Sequence, residues 1–143
     1  MRTYYIFCIN NHFCTFYKEN PHIIYDMLNQ LYKLNKKDFM MGYRLFEQMC
    51  LPFNKNSLNE YIYNNHNKDI SYQHINNNHI INNIYTNELS KLIVKNIYIK
   101  ITTNLPYSIL YNTLNRYNEN LFICDFNNED YFWLDKVSME TLV

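Results

Sequence analysis

The chain has 143 residues, 48% apolar and 17% aromatic, with thirteen basic and thirteen acidic side chains that cancel. That length predicts one domain spanning residues 1–143, able to bury roughly 70% of its unfolded surface without disulfides or a metal. Balanced charge argues against a phosphate-tracking nucleic-acid binder. The single glycine, Gly42, argues against Rossmann and P-loop sites, where backbone must approach a ligand closely.

Thr3 to Ile9 is rich in aromatic and β-branched residues and predicts a strand. Asn10 or Asn11 then caps a short helix through about Lys18, on which Phe13, Phe16 and Tyr17 share one face. Asn20-Pro21 opens a second helix, with Ile23, Ile24, Met27, Leu28, Leu31 and Leu34 as its apolar stripe. A third runs from about Lys36 to Cys50, placing Phe39, Met40, Tyr43, Phe46 and Met49 inward or half-buried, and Leu51-Pro52 stops it. Gly42 inside this helix costs roughly 1 kcal/mol against Ala, which points to a close helix contact there.

Ser57-x-x-Glu60 is a capping-box pattern for a short helix over residues 58–63. Ile70 to Ile75 and His79 to Tyr85 flank an Asn triplet and read as a hairpin or partly helical segment. Lys91 to Lys95 and Ile97 to Thr103 predict two strands, with Ile97, Ile99 and Ile101 on one face and Tyr98 and Lys100 on the other. Lys91, Lys95 and Lys100 read as the solvent face of these strands, a local basic patch being the alternative. Asn104-Leu105-Pro106 opens another helix, with Ile109, Leu110, Leu114 and Tyr117 inward, and Leu121 to Asp125 is the last strand. The fold class is α+β: a mostly antiparallel sheet of N-terminal strand, central hairpin and C-terminal strand, packed with about four to five helices.

Composition also bears on function. Twenty-five Asn and no Ala indicate AT-rich codon usage, so the abundance of Asn and Tyr is not functional evidence. No apolar run is long enough to span a bilayer and Met1 to Ile6 is too short for a signal peptide, which predicts a cytoplasmic protein. Cys8, Cys14, Cys50 and Cys124 lack C-x-x-C spacing and read as small buried hydrophobes.

Three constellations could carry chemistry. His66, Asp69, His74 and His79 lie close in sequence but match no zinc spacing, and they read as surface residues. Asp125, Glu129, Asp130 and Asp135 could be a carboxylate cluster, although a polar turn with local side-chain hydrogen bonds accounts for them better. The aromatic face of the first helix suits a protein-binding patch through Phe13 and Tyr17, with core packing accounting for Phe16. Phe126, Trp133 and Leu134 are predicted to pack against the helices.

The block from Leu121 to Asp135, an apolar strand, an acidic turn and an aromatic landing, resembles the carboxy-terminal block of the sporulation inhibitor of replication (SirA) family of spore-forming Firmicutes. Tyr4 and Tyr5 on the first strand, then Phe13 and Tyr17 on the first helix, resemble its amino terminus. The resemblance implies an inhibitor of replication initiation that binds the N-terminal domain of the initiator DnaA one-to-one during sporulation. It implies surface competition without catalysis, cofactor or metal, and without direct contact to nucleic acid or membrane. Phe13 and Tyr17 match the family's Phe-x-x-x-Tyr, and the helix ending before Pro52 offers Gln48 as a further partner-binding residue. The alternatives are a small metal-dependent hydrolase or nuclease using His74, His79 and Asp125, and a nucleic-acid-binding module using Tyr and Asn on the sheet.

Overall fold

The computed structural model describes residues 1–34 and 39–137. Its strands are β1 (Arg2–Ile9), β2 (Cys50–Leu51), β3 (Tyr72–Ile75), β4 (Asn78–Asn83), β5 (Glu88–Val94), β6 (Ile99–Thr103), β7 (Leu121–Asp125) and β8 (Asp130–Trp133). Its helices are α1 (Asn11–Tyr17), α2 (Pro21–Tyr32), α3 (Phe39–Met49), α4 (Lys55–His66) and α5 (Leu110–Tyr117), and Leu134–Lys136 forms a closing 3₁₀ turn. The strands make one antiparallel sheet in the order β3-β4-β5-β6-β1-β7-β8, with β2 pairing the end of β1. The α+β class and its mostly antiparallel sheet are therefore as the sequence predicts.

Sheet alternation separates two cores, because successive side chains point to opposite faces. On one face Ile6, Leu92, Ile99, Ile101 and Ile123 pack under α4 and α5, against Leu58, Ile62, Leu110 and Leu114. On the other, Phe7, Phe122, Cys124 and Trp133 pack under α2 and α3, against Ile24, Leu28, Phe46 and Met49. β1 lies between β6 and β7 and feeds both cores, so the N-terminal strand is the spine of the molecule.

With one glycine in the chain, tight turns fall to other residues. Asn76, in the two-residue β3–β4 turn, and Asn87, before β5, take positive φ of 55° and 56°. Asn tolerates this region better than other non-glycine residues because its short side chain bonds locally. Gly42 meets the predicted close contact: a Cβ there would overlap Cδ1 of Leu34.

Several local expectations need correction. α4 is capped by Asn54, whose Oδ1 accepts from Ser57 N at 3.1 Å, so the helix starts before the Ser57 capping box and runs on to His66. Met40 and Tyr43 are exposed on α3 and Ile109 is exposed ahead of α5, because only one stripe of each helix meets the sheet. The side chain of Phe39 and residues 35–38 lie outside the described residues. α5 begins at Leu110 rather than beside Pro106, after a polar bend in which buried Glu88 accepts from Ser108 Oγ (2.6 Å) and Ile109 N (3.3 Å). Ile97 falls in the β5–β6 turn and packs with Tyr98 on the α2–α3 side, not with Ile99 and Ile101. Cys8, Cys50 and Cys124 are buried and Cys14 is half-buried. Burial pushes the thiols of Cys8, Cys14 and Cys124 upward, which keeps them protonated.

Candidate functional site

α1 is only seven residues long, too short to persist in isolation, so its position depends on what ties its ends. At the N-terminus Asn10 uses both ends of its amide. Its Oδ1 accepts from Phe13 N at 2.8 Å, and its Nδ2 donates to the backbone carbonyl of Gln48. Asn10 N also donates to Met49 O at 2.9 Å, so the start of α1 is fastened to the end of α3. At the C-terminus Trp133 Nε1 donates to Lys18 O at 3.1 Å. The Lys18 ammonium lies 5.1 Å from the Trp133 ring centroid and 2.7 Å from Asp135 Oδ2. The carboxy-terminal aromatic block thus clamps the helix that carries the candidate residues.

On this clamped helix Phe13 and Tyr17 stand one turn apart, ring centroids at 5.3 Å and tilted by 39°. Both are half-buried against the α2–α3 core, with one side packed and the other open to solvent. Phe16 is not core, contrary to expectation. It is 63% exposed and pairs with His12 at 5.1 Å, because it points away from the sheet that Phe13 and Tyr17 lean on. Gln48 is exposed on the last turn of α3, and its carbonyl is the one held by Asn10. The backbone of Gln48 therefore lies beside the start of the helix that carries Phe13 and Tyr17. Asn10, which joins them, was legible in the sequence only as a cap.

The profile of the family described as sporulation inhibitor of replication protein SirA matches residues 2–138. The chain belongs to the SirA family. No curated protein matches the chain. Membership places it among regulatory inhibitors of replication in sporulation, and no helix among the described residues is long and apolar enough to cross a membrane.

The residues of the hydrolase alternative do not converge in this SirA-family fold. His79 lies on β4 and Asp125 on β7, four strand spacings apart, about 19 Å across the sheet. Neither His66 nor His79 is a surface residue as the sequence suggested. His66 is buried, with Nε2 2.7 Å from Thr113 Oγ1 and Nδ1 3.1 Å from Asp69 Oδ2, and so links α4 to α5. His79 is buried between Tyr72 OH (2.7 Å from Nδ1) and Asn59 Oδ1 (2.8 Å from Nε2), and stacks on His74 at 4.5 Å. Burial, then the neighbouring His74 and His66, push the His79 imidazole down to about 4. Neutral His79 has one donor and one acceptor nitrogen, which these two partners satisfy.

Asp125 is a structural carboxylate. It is buried, meets Arg2 Nε at 2.9 Å, and accepts from Asn128 N at 3.2 Å and Asn128 Nδ2 at 2.7 Å. Burial alone would raise its carboxyl, but the hydrogen bonds from Asn128 and Arg2 outweigh it and hold the group below its ordinary value. The cluster ties the amino-terminal strand to the turn before β8, where Glu129 takes a φ of 52°. Among the described residues no group of three or more His, Cys, Asp or Glu is arranged to hold a metal ion.

Proposed function

We propose that the chain inhibits replication initiation by binding the N-terminal domain of DnaA one-to-one, in the cytoplasm, through Phe13, Tyr17 and Gln48. The observation that supports this reading is the Asn10 tie, which joins the start of the helix carrying Phe13 and Tyr17 to the end of α3 at Gln48. Two large aromatics with one side free and little rotamer freedom left to lose suit an interface anchor, since ordering cost is already met by the fold. The mechanism is occlusion: a bound inhibitor covers a face the initiator needs for assembly at the origin, with no bond made or broken.

The test is a binding titration of wild type, Phe13→Ala, Tyr17→Ala and Gln48→Ala against the N-terminal domain of DnaA from the same species. Each aromatic truncation is expected to weaken binding by about 2 kcal/mol, some thirtyfold. Thermal unfolding on the same variants separates binding from folding. Unchanged affinity in both aromatic variants, or no measurable complex with wild type, rejects the reading.

A further inference from the structure

The helices α1, α2 and α3 cover only part of their side of the sheet. The opposite side chains of β4, β5 and β6, with Tyr72 of β3, are buried under α4 and α5, while this side carries no helix among the described residues. Register places Ile80 at the centre of the open area. It faces Gln73 on β3 and Lys91 on β5, and Ile75, Leu89 and Ile93 are its diagonal neighbours. Diagonal side chains in an antiparallel pair lie roughly 7 Å apart, so these four form one apolar patch. Ile75 and Leu89 are 50% and 46% exposed.

Charge on this floor is one-sided. Lys91 and Lys100 project from it, the latter opposite Ile93, and Lys95 stands at its end in the β5–β6 turn. None of the three makes an ion pair among the described residues. From residue 70 to residue 118 the sequence has one acidic side chain, Glu88, and it is buried on the other face. A neutral protein thus presents an apolar patch interleaved with the uncharged Gln73, Asn78 and Asn82, on a face whose charged groups are all ammonium. One border is a raised aromatic wall, where Tyr5 meets Tyr98 at 5.3 Å and Tyr32 of α2 at 5.5 Å.

We infer that this open half of the sheet docks an acidic amphipathic helix of a protein partner. Four strands span about 14 Å between outer axes, a floor that accepts one helix of roughly 10–12 Å diameter. Strands β3 to β6 already take helices on their other face, so the pleat offers the same packing geometry here. Apolar side chains of the incoming helix cover Ile80 and its neighbours, and its flanking carboxylates meet Lys91, Lys95 and Lys100. A single nucleic-acid strand fits less well, because the aromatic rings Tyr5, Tyr98 and Tyr32 lie at one border and leave the floor around Ile80 without a platform on which bases stack. This inference is independent of the Phe13–Tyr17 surface.

The experiment uses the full chain, isotopically labelled, titrated by NMR with two synthetic amphipathic peptides that share one apolar face. One is flanked by Glu and the other by Lys, and a single-stranded oligonucleotide is a third titrant. The Glu-flanked peptide is expected to shift amides of β4, β5 and β6, and the Lys-flanked peptide to bind at least tenfold more weakly. The Lys91→Glu/Lys95→Glu variant, altered only at exposed positions, should keep the wild-type melting temperature and lose at least tenfold affinity for the Glu-flanked peptide. No binding of that peptide, equal binding of both peptides, shifts confined to α1–α3, or preference for the oligonucleotide each overturns the inference.

Discussion

Asn10 is the residue whose removal most directly tests how the candidate surface is built. Replacing it with Ala deletes two interactions at once: the cap on Phe13 N and the amide donated to the Gln48 carbonyl. Loss of an Asn cap costs about 1 kcal/mol, and loss of a half-exposed hydrogen bond about another 1 kcal/mol. For a chain of this length an unfolding entropy near 0.3 kcal/mol/K converts 2 kcal/mol into a fall of about 7 °C in Tm. Asn10→Asp separates the two effects. Its carboxylate keeps the cap, and the second oxygen, lacking a proton at pH 7, faces a carbonyl that wants a donor. That variant should lose about 1 kcal/mol, or about 3 °C. Both variants should also weaken the DnaA titration without touching Phe13, Tyr17 or Gln48, because α1 is no longer held to α3. Differential scanning calorimetry and the same titration read out both quantities. An Asn10→Asp protein as stable as wild type, with unchanged affinity, would show that the Asn10–Gln48 tie does not set the surface.

Trp133→Ala should cost about 3–5 kcal/mol by urea denaturation, as for other buried aromatics, while Trp133→Phe should lose only about 1–2 kcal/mol through the unpaired Lys18 carbonyl. Equal losses in the two variants would assign the effect to the lost Nε1 hydrogen bond to Lys18 O and refute the packing contribution. Folding should also weaken with acid through His79. Its imidazole is held to about 4 when folded against 6.5 as the ordinary value, so the unfolded chain binds the extra proton between those limits. Stability is therefore full above pH 6.5 and falls as pH drops toward 4. His79→Gln should flatten that part of the pH profile, and an unchanged slope from pH 7 to 4.5 would refute the assignment.

Local rules carried much of the fold because their causes are local. The Asn10 cap, the Pro21 start of α2 and the alternation of Glu88–Val94 and Ile99–Thr103 depend on hydrogen bonds and side-chain directions within a few residues. The Phe13–Tyr17 pair was legible for the same reason, being one helical turn apart. Which of three aromatics on that helix turns outward was not legible. Phe13, Phe16 and Tyr17 are equivalent by spacing, and Phe16 is the exposed one because the other two pack against the α2–α3 core. The histidines show the same limit. His79 reads as a polar residue in an Asn-rich stretch, yet pairing with β3 and β5 buries it, and Tyr72 and Asn59 supply partners from outside its own strand.

Long-range juxtaposition decided the site. Asn10 and Gln48 are 38 residues apart, and Lys18 and Trp133 are 115 apart. No periodicity within either segment specifies that they meet. Their contact follows from β1 sitting between β6 and β7, which brings the helix after β1 beside the end of α3 and under the aromatic residues of β8. The same strand order keeps His79 and Asp125 about 19 Å apart. Residue type and short-range spacing determine which side chains are available to act, while strand order, set by burial of both sheet faces at once, determines which of them act together.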